Sequence, residues 1–149
     1  MTARAASISG DHSRAAELYA SLASQSSDGD LVQRAISEAI SAGNFPLALK
    51  LARQAPDARH SVNAKLLLVA DALKRGADTE AVELLSKAQG GADLSFWEPL
   101  VRAWNAAERR DSSGALSILA AVPRSSAFAP FVDEQAALIL LKLRKTAEA

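Results

Sequence analysis

The sequence predicts an all-helical protein, a right-handed solenoid made of antiparallel helix pairs. Alanine makes up about a fifth of the 149 residues and leucine follows it. This composition favours closely packed helices, because Ala has the highest helix propensity. Apolar residues recur at three- and four-residue steps, without the alternation that is typical of a strand. A pattern of a turn followed by an alanine also recurs along the whole chain, which is the mark of a repeat architecture.

The repeat is anchored on four turns, centred on Gly10, Gly43, Gly76 and Arg110. Five residues after each turn comes an alanine: Ala15, Ala48, Ala81 and Ala115. The interval between successive alanines is nearly constant, as a helix–turn–helix repeat requires. Four residues before each turn comes another alanine: Ala6, Ala39, Ala72 and Ala106. Each unit therefore contains a helix before the turn and a helix after it.

Local signals place the individual helices. A Gly at the turn suits the left-handed residue that ends a helix, and Asp11, Asp78 and Asp111 can cap the helices that follow. Ser95 and Glu98 have the spacing of a capping box, and Pro99 then falls in the first turn, where it is tolerated. The pattern predicts nine helices and no strand, with helices at 2–9, 13–24, 31–42, 46–55, 61–75, 79–89, 96–109, 112–121 and 129–144.

This pattern resembles the tetratricopeptide repeat (TPR), in its degenerate, Ala-rich bacterial form. The first unit carries the family's positions as Ala6, Gly10, Asp11, Ala15 and Tyr19, and the later units follow at Ala39, Gly43, Asn44, Ala48, Ala52; Ala72, Gly76, Ala81, Leu85; and Ala106, Asp111, Ala115, Leu119. The resemblance covers the whole chain, although the family's first-helix Trp has no counterpart in units two and three. It implies a solenoid whose first helices line a concave face. Ankyrin repeats share the period, but their Thr-Pro-Leu-His signature is absent, and the chain lacks the basic excess usual in pentatricopeptide repeats.

The domain organisation follows from the repeat. We expect a single domain over residues 1–149 with about four and a half repeats. The chain begins inside a first helix and stops at the alanine that would open the second helix of unit five. We therefore expect it to be a segment of a longer repeat protein. The alternative is a natural small protein whose last helix caps the array.

Composition excludes several classes of function. Lys and Arg total 17 and Asp and Glu total 17, so the chain lacks the basic excess that phosphate binding normally requires, and we expect no nucleic-acid partner. There are no cysteines, which removes thiolate metal sites and thiol nucleophiles. The apolar runs are too short for a membrane helix. No apolar signal segment opens the chain; the compartment would be cytoplasmic if Met1 is the native start, and periplasmic if a signal peptide was removed.

No motif predicts catalysis, a metal or a cofactor, so we expect a protein that is not an enzyme. His12 and His60 both fall at predicted turns, and we interpret His12 as a solvated turn residue. Gly90-Gly91 lacks the Gly-Lys-Ser/Thr ending of a phosphate loop. Asp28 and Asp30 lack the ligand spacing of a calcium loop, and a helix cap explains them better.

One group of residues predicts a binding site. Trp97, Leu100 and Trp104 share one face of a first helix, which faces the concave side if Ala103 and Ala106 pack against the partner helix. The predicted groove comprises Leu66, Ala70, Leu73, Trp97, Leu100, Trp104, Phe131, Leu138 and Leu141. In the family these positions contact a peptide. The sequence lacks the Lys, Asn and Arg of the two-carboxylate clamp, so we expect an apolar peptide or helix as partner, or another copy of the chain.

Two alternatives stay open at this point. Both tryptophans could simply fill a tightly wound core or pack on the last helix, since Trp is highly buried on average. The chain could also be an accessory or regulatory region of a larger enzyme or assembly. An attached domain of another class in the natural gene product would favour this second alternative.

Overall fold

The computed structural model describes residues 2–26, 28–54, 61–86 and 93–144. All regular structure in these ranges is helical, as predicted. They contain nine α-helices: α1 (Ala3–Ile8), α2 (His12–Ser24), α3 (Gly29–Ser41), α4 (Phe45–Gln54), α5 (Val62–Lys74), α6 (Asp78–Leu85), α7 (Glu98–Glu108), α8 (Ser112–Ala120) and α9 (Val132–Lys142). Two 3₁₀ helices, Ser95–Trp97 and Ala129–Phe131, directly precede α7 and α9.

The helices pack in chain order. Each one contacts the next, from α1 against α2 through to α8 against α9. In addition, α3 contacts α5 and α7 contacts α9. In these two cases the first helices of neighbouring pairs lie side by side, and this relation brings together residues of the candidate site.

The four predicted turns share one backbone conformation. The residues at their centres have φ values of 78°, 70°, 71° and 62° at Gly10, Gly43, Gly76 and Arg110. At the second turn the Gly43 N–H donates to the Ile40 carbonyl at 2.9 Å, and the Asn44 N–H donates to the Ala39 carbonyl at 2.8 Å. These bonds form a Schellman motif, which pairs carbonyls otherwise left free at a helix end. The other three turns make the equivalent bonds.

In three of the four units the side chain of the residue after the turn caps the next helix. The Asp11 carboxylate accepts the Arg14 N–H at 3.1 Å, and the Asp111 carboxylate accepts the Gly114 N–H at 2.8 Å. Both caps confirm the sequence prediction. The prediction for Asp78 is wrong, because Asp78 is the first residue of α6 itself. Its charge still lies in the first turn, where the helix dipole favours an acid.

Most of the buried repeat positions at the contacts between helices carry small side chains. The alanine five residues after each turn is fully buried: Ala15, Ala48, Ala81 and Ala115. The residues four positions later are also buried: Tyr19, Ala52, Leu85 and Leu119. The alanines before the turns complete this set: Ala6, Ala39, Ala72 and Ala106. A methyl side chain allows close approach of two helices, so the repeat positions found in the sequence are the positions that hold the helices together.

Three boundary predictions need correction. The helix predicted for 79–89 ends at Leu85, and residues 87–89 lie outside the described residues. The helices predicted for 96–109 and 129–144 each open with a 3₁₀ turn, and α9 ends at Lys142. No capping box forms at Ser95, because its hydroxyl donates to Asp93 at 2.6 Å instead. His60 and Gly90-Gly91 fall outside the described residues.

Candidate functional site

Nine residues were predicted to line a groove, and we call them the apolar strip. Leu66, Ala70 and Leu73 lie on α5, while Leu100 and Trp104 lie on α7. Trp97 and Phe131 end the two 3₁₀ turns, and Leu138 and Leu141 lie on α9. None of the nine is buried: Leu100 and Trp104 are half-buried, and the other seven are exposed.

The strip is the outward side of helices whose other side forms the core. On α5 the exposed residues Leu66, Ala70 and Leu73 are spaced by four and three, while Leu68 and Ala72 are buried. This spacing places the exposed residues on one helix face. On α9 the exposed Leu138 and Leu141 repeat the arrangement. The strip is therefore a consistent face of successive first helices.

Each of the two 3₁₀ turns ends with an exposed aromatic residue, directly before α7 and α9. Trp97 and Phe131 occupy equivalent positions in successive units, with 39% and 50% of each residue exposed. Between them lies the buried Phe128, whose ring centre is 6.3 Å from that of Trp97 and 6.1 Å from that of Phe131. Centre distances in this range are typical of packed aromatic pairs. The two exposed rings therefore both pack against the buried ring of Phe128.

Trp104 is held differently from Trp97. Its indole N–H donates to Gln135 Oε1 at 3.0 Å, and Lys142 Nζ lies 5.5 Å from its ring centre. The ring also packs against the core between α7, α8 and α9. Both contacts reach from α7 to α9, so Trp104 joins these two helices and leaves only part of its ring in the strip. Trp104 therefore contributes to the core between α7 and α9, while part of its ring remains in the strip.

The positions of α3 that are equivalent to the apolar strip are mostly polar. On α3 the equivalent positions are Asp30, Gln33, Ser37 and Ile40, of which three are polar. The Asn63 side chain donates to the Ser37 hydroxyl at 3.3 Å, and Leu66 borders the shallow depression beside this bond. At the positions equivalent to the strip, large apolar side chains are thus concentrated on α5, α7 and α9.

A polar cluster of Ser7, His12 and Glu38 was not predicted from the sequence. His12 Nδ1 lies 2.7 Å from Glu38 Oε2, and the Ser7 hydroxyl donates to Glu38 Oε1 at 2.5 Å. The His12 side chain is 42% exposed, as a solvated residue would be, but His12 is the first residue of α2 rather than a turn residue and it contacts Glu38. Partial burial tends to raise the pKa of Glu38, but the bonds from Ser7 and His12 and the nearby His12 charge hold that pKa below its usual value.

This cluster joins three helices and does not have the geometry of a catalytic triad. In a triad the His lies between the Ser and the acid, whereas here the Glu38 carboxylate lies between Ser7 and His12. Ser7, His12 and Glu38 belong to α1, α2 and α3. The carboxylate therefore connects the first helix pair to the second.

An equivalent carboxylate connects the next two pairs. Asp71, which occupies in the third unit the position of Glu38 in the second, contacts Arg53 of α4 at 2.5 Å and Arg75 at 3.0 Å. Partial burial tends to raise the pKa of Asp71, but the two guanidinium groups hold it below its ordinary range. The sequence does carry a signal for these contacts, because an acid stands five residues before the turn at Gly43 and again five residues before the turn at Gly76.

Two further structural findings concern metals and membranes. Among the described residues, no three acidic or His side chains gather as a metal site would require. No helix in the described ranges has the length and apolarity to cross a bilayer.

No protein-family model, curated protein or solved structure matches this chain.

Proposed function

We propose that this chain is a binding scaffold without catalytic activity, built as a right-handed solenoid of the TPR type. Its apolar strip binds an apolar peptide or one face of an amphipathic helix. The recurrence of one left-handed turn in each of four units supports the solenoid, as does the contact of α3 with α5 and of α7 with α9. Regular stacking of like units gives this architecture.

The exposed strip is the observation that carries the binding proposal. Large exposed apolar residues are costly in water, and a contiguous set of them marks an interaction surface. Among the residues that the structure describes, six of the ten exposed large apolar side chains belong to the strip: Leu66, Leu73, Trp97, Phe131, Leu138 and Leu141. They come from three successive first helices. A helix laid across them would insert anchors spaced by three, four and seven residues.

Site-specific photo-crosslinking tests this proposal in the native cell. A photoreactive residue at Leu138 should capture a partner, whereas the same residue at Phe45 should not. Phe45 is an apt control because it is an exposed apolar side chain on α4, outside the strip. The captured segment is then identified by mass spectrometry and synthesised.

Affinity for the synthesised segment provides the decisive comparison. Leu141 and Phe45 are each 52% exposed, so Leu141→Ser and Phe45→Ser remove similar exposed groups. We expect Leu141→Ser to weaken binding by about tenfold, which corresponds to about 1.4 kcal/mol, and Phe45→Ser to leave binding unchanged. Equal losses in both variants, or capture from both positions, would contradict a binding strip.

A further inference from the structure

The junctions between successive repeat units differ in how they are held together. Side-chain polar bonds bridge three of them: Glu38 with Ser7 and His12 at the first, Asp71 with Arg53 at the second, and Trp104 with Gln135 at the fourth. Between the third unit (α5 and α6) and the fourth (α7 and α8), the residues that the structure describes form no such bond. In addition, α5 and α7 make less contact than α3 and α5, or α7 and α9. Within the described ranges, the third junction therefore lacks the polar restraint that the other three have.

Apolar side chains join the two units at this third junction. Val69, Ala72 and Leu85 of the third unit share one buried cluster with Leu94, and Val101 of α7 packs against that cluster. Apolar contact is non-directional, so it holds the two units together without fixing one angle between them. Sliding of packed helices over such a contact is one way in which protein units close on each other.

A cleft of about 660 Å³ opens at the same junction, between α6, α7 and α8. Asp78 and Glu83 line it from α6, and Arg102 and Arg109 line it from α7 and from the end of that helix. Neither of these two carboxylates forms an ion pair within the described part of the chain. The acid of α8 that also lines the cleft, Asp111, already caps that helix. Complementary charges on α6 and α7 therefore line one cleft without pairing with each other.

Both arginines bond instead to partners on their own helix. Arg102 Nη2 lies 2.8 Å from Glu98 Oε1, four residues earlier, and the Arg109 guanidinium donates to the Asn105 side chain. The Arg102 side chain is 56% exposed, and an exposed ion pair between residues four apart contributes little stability. These local bonds can therefore be exchanged for bonds to carboxylates across the cleft at little cost in free energy.

The cleft and the apolar strip lie on opposite faces of α7. With about 3.6 residues per turn, Leu100 and Trp104 share the strip face, whereas Arg102 and Arg109 share a face on the other side of the helix. Val101, which packs against the apolar cluster, lies between these two faces. A rotation about this contact that narrows the cleft therefore moves the strip residues of α7 away from those of α5.

We propose that the third junction is a hinge, which closes when Asp78 and Glu83 pair with Arg102 and Arg109 and which thereby sets the spacing of the apolar strip. Low ionic strength favours closure, because salt screens pairs between exposed charges. The hinge requires no bound partner, so it can fail without the proposed binding function. Only the effect of the hinge on partner binding rests on that function.

Distances between pairs of spin labels measure the hinge directly. The sequence has no cysteine, so Thr79→Cys with Ser113→Cys places two labels across the third junction of the full chain without background labelling. Pro46→Cys with Thr79→Cys is the matched control across the second junction, since all three residues are exposed and stand two positions before a repeat alanine. Pulsed EPR should give a short and a long distance for the first pair and a single distance for the control.

Neutral variants test whether the carboxylates close the hinge. Asp78→Asn and Glu83→Gln should each lower the ratio of the short-distance to the long-distance population by roughly two- to fivefold, as expected for exposed ion pairs, and salt at about 1 M should do the same. Glu80→Gln is the control, because it removes an exposed carboxylate of α6 that pairs with Arg75, and it should leave the ratio unchanged. A single distance across the third junction, as narrow as in the control pair, would overturn the hinge. Two distances that respond to neither salt nor the two variants would overturn its closure by ion pairs.

A third pair of labels tests the effect on the apolar strip. Ala70→Cys on α5 and Trp97→Cys before α7 replace two exposed strip residues. Because the strip and the cleft lie on opposite faces of α7, the longer distance of this pair should belong to the closed hinge, and both salt and Glu83→Gln should reduce its population. A strip distance that stays constant while the cleft distance changes would overturn the coupling between the hinge and the strip.

Discussion

Arg110 and Gly76 adopt the same left-handed backbone conformation, at φ 62° and 71°, in the equivalent turns of successive units. Each turn also makes the same pair of hydrogen bonds, from the left-handed residue and from the residue after it. The turn geometry is therefore the same in both units, even where the residue that favours it is missing. Packing of the flanking helices holds Arg110 in a conformation that its own side chain disfavours.

Gly76→Ala should destabilise the protein by roughly 1–2 kcal/mol, the cost of placing an L-residue in the left-handed region. A Cβ at Gly76 meets no atom within 4 Å, so the effect isolates backbone strain from steric overlap. Denaturant unfolding measures it. Gly43→Ala, which has the same open surroundings, should cost a similar amount, and a negligible cost in both variants would contradict the strain argument.

Ala81→Leu should cost roughly 1–3 kcal/mol, because extra methylenes in a well-packed contact force the helices apart. Ala81 is a fully buried residue of α6 and packs in one cluster with Val69 and Ala72 of α5. Thr79→Leu is the matched control, since it enlarges an exposed residue of the same helix and should change stability by less than about 0.5 kcal/mol. Equal unfolding midpoints for the two variants would mean that α6 is not closely packed at Ala81.

Alanine substitutions of the two tryptophans should differ in how much they destabilise the protein. Trp104→Ala removes the bond to Gln135 and part of the core between α7 and α9, and we expect a loss of about 2–3 kcal/mol, below the usual cost for a fully buried Trp. Trp97→Ala removes a more exposed ring and should cost about 1 kcal/mol. Chemical denaturation of both variants checks this order, and the reverse order would contradict the described placement.

Stability should decrease on acidification through the carboxylate range. The pKa of Glu38 is lower in the folded protein than its ordinary value, so folding favours the ionised form. Its contribution is complete above the unfolded-state pKa and is lost as the pH falls through the folded-state pKa. Asp71 and Asp111 have lowered pKa values as well and act in the same direction.

Glu38→Gln measures how much the cluster of Ser7, His12 and Glu38 contributes to this pH dependence of stability. We expect the variant to lose about 1 kcal/mol at pH 7, because a neutral amide replaces a carboxylate that accepts two bonds in a partly exposed site. The difference from the unmodified chain should shrink between about pH 5 and pH 3, where the carboxylate becomes protonated. A pH-independent difference would show that the ionised carboxylate is not what stabilises this junction.

The sequence alone was sufficient for the all-helical class, the turns and the buried alanines. These features depend on short-range rules: a left-handed turn residue, a cap three residues before its donor, and small residues at fixed distances from the turn. The buried alanine after the turn recurs in all four units, from Ala15 to Ala115, whereas the side-chain cap is missing in the third unit, where Ala77 precedes α6. The outward position of Leu66 and Leu138 also followed, because helical periodicity fixes which residues share a face.

Contacts between helices were decided only by the tertiary structure. The bond from Trp104 to Gln135 and the cluster of Ser7, His12 and Glu38 each join residues that are far apart in the chain. Whether such side chains meet depends on the angle and offset between two helices, which a repeat period does not specify.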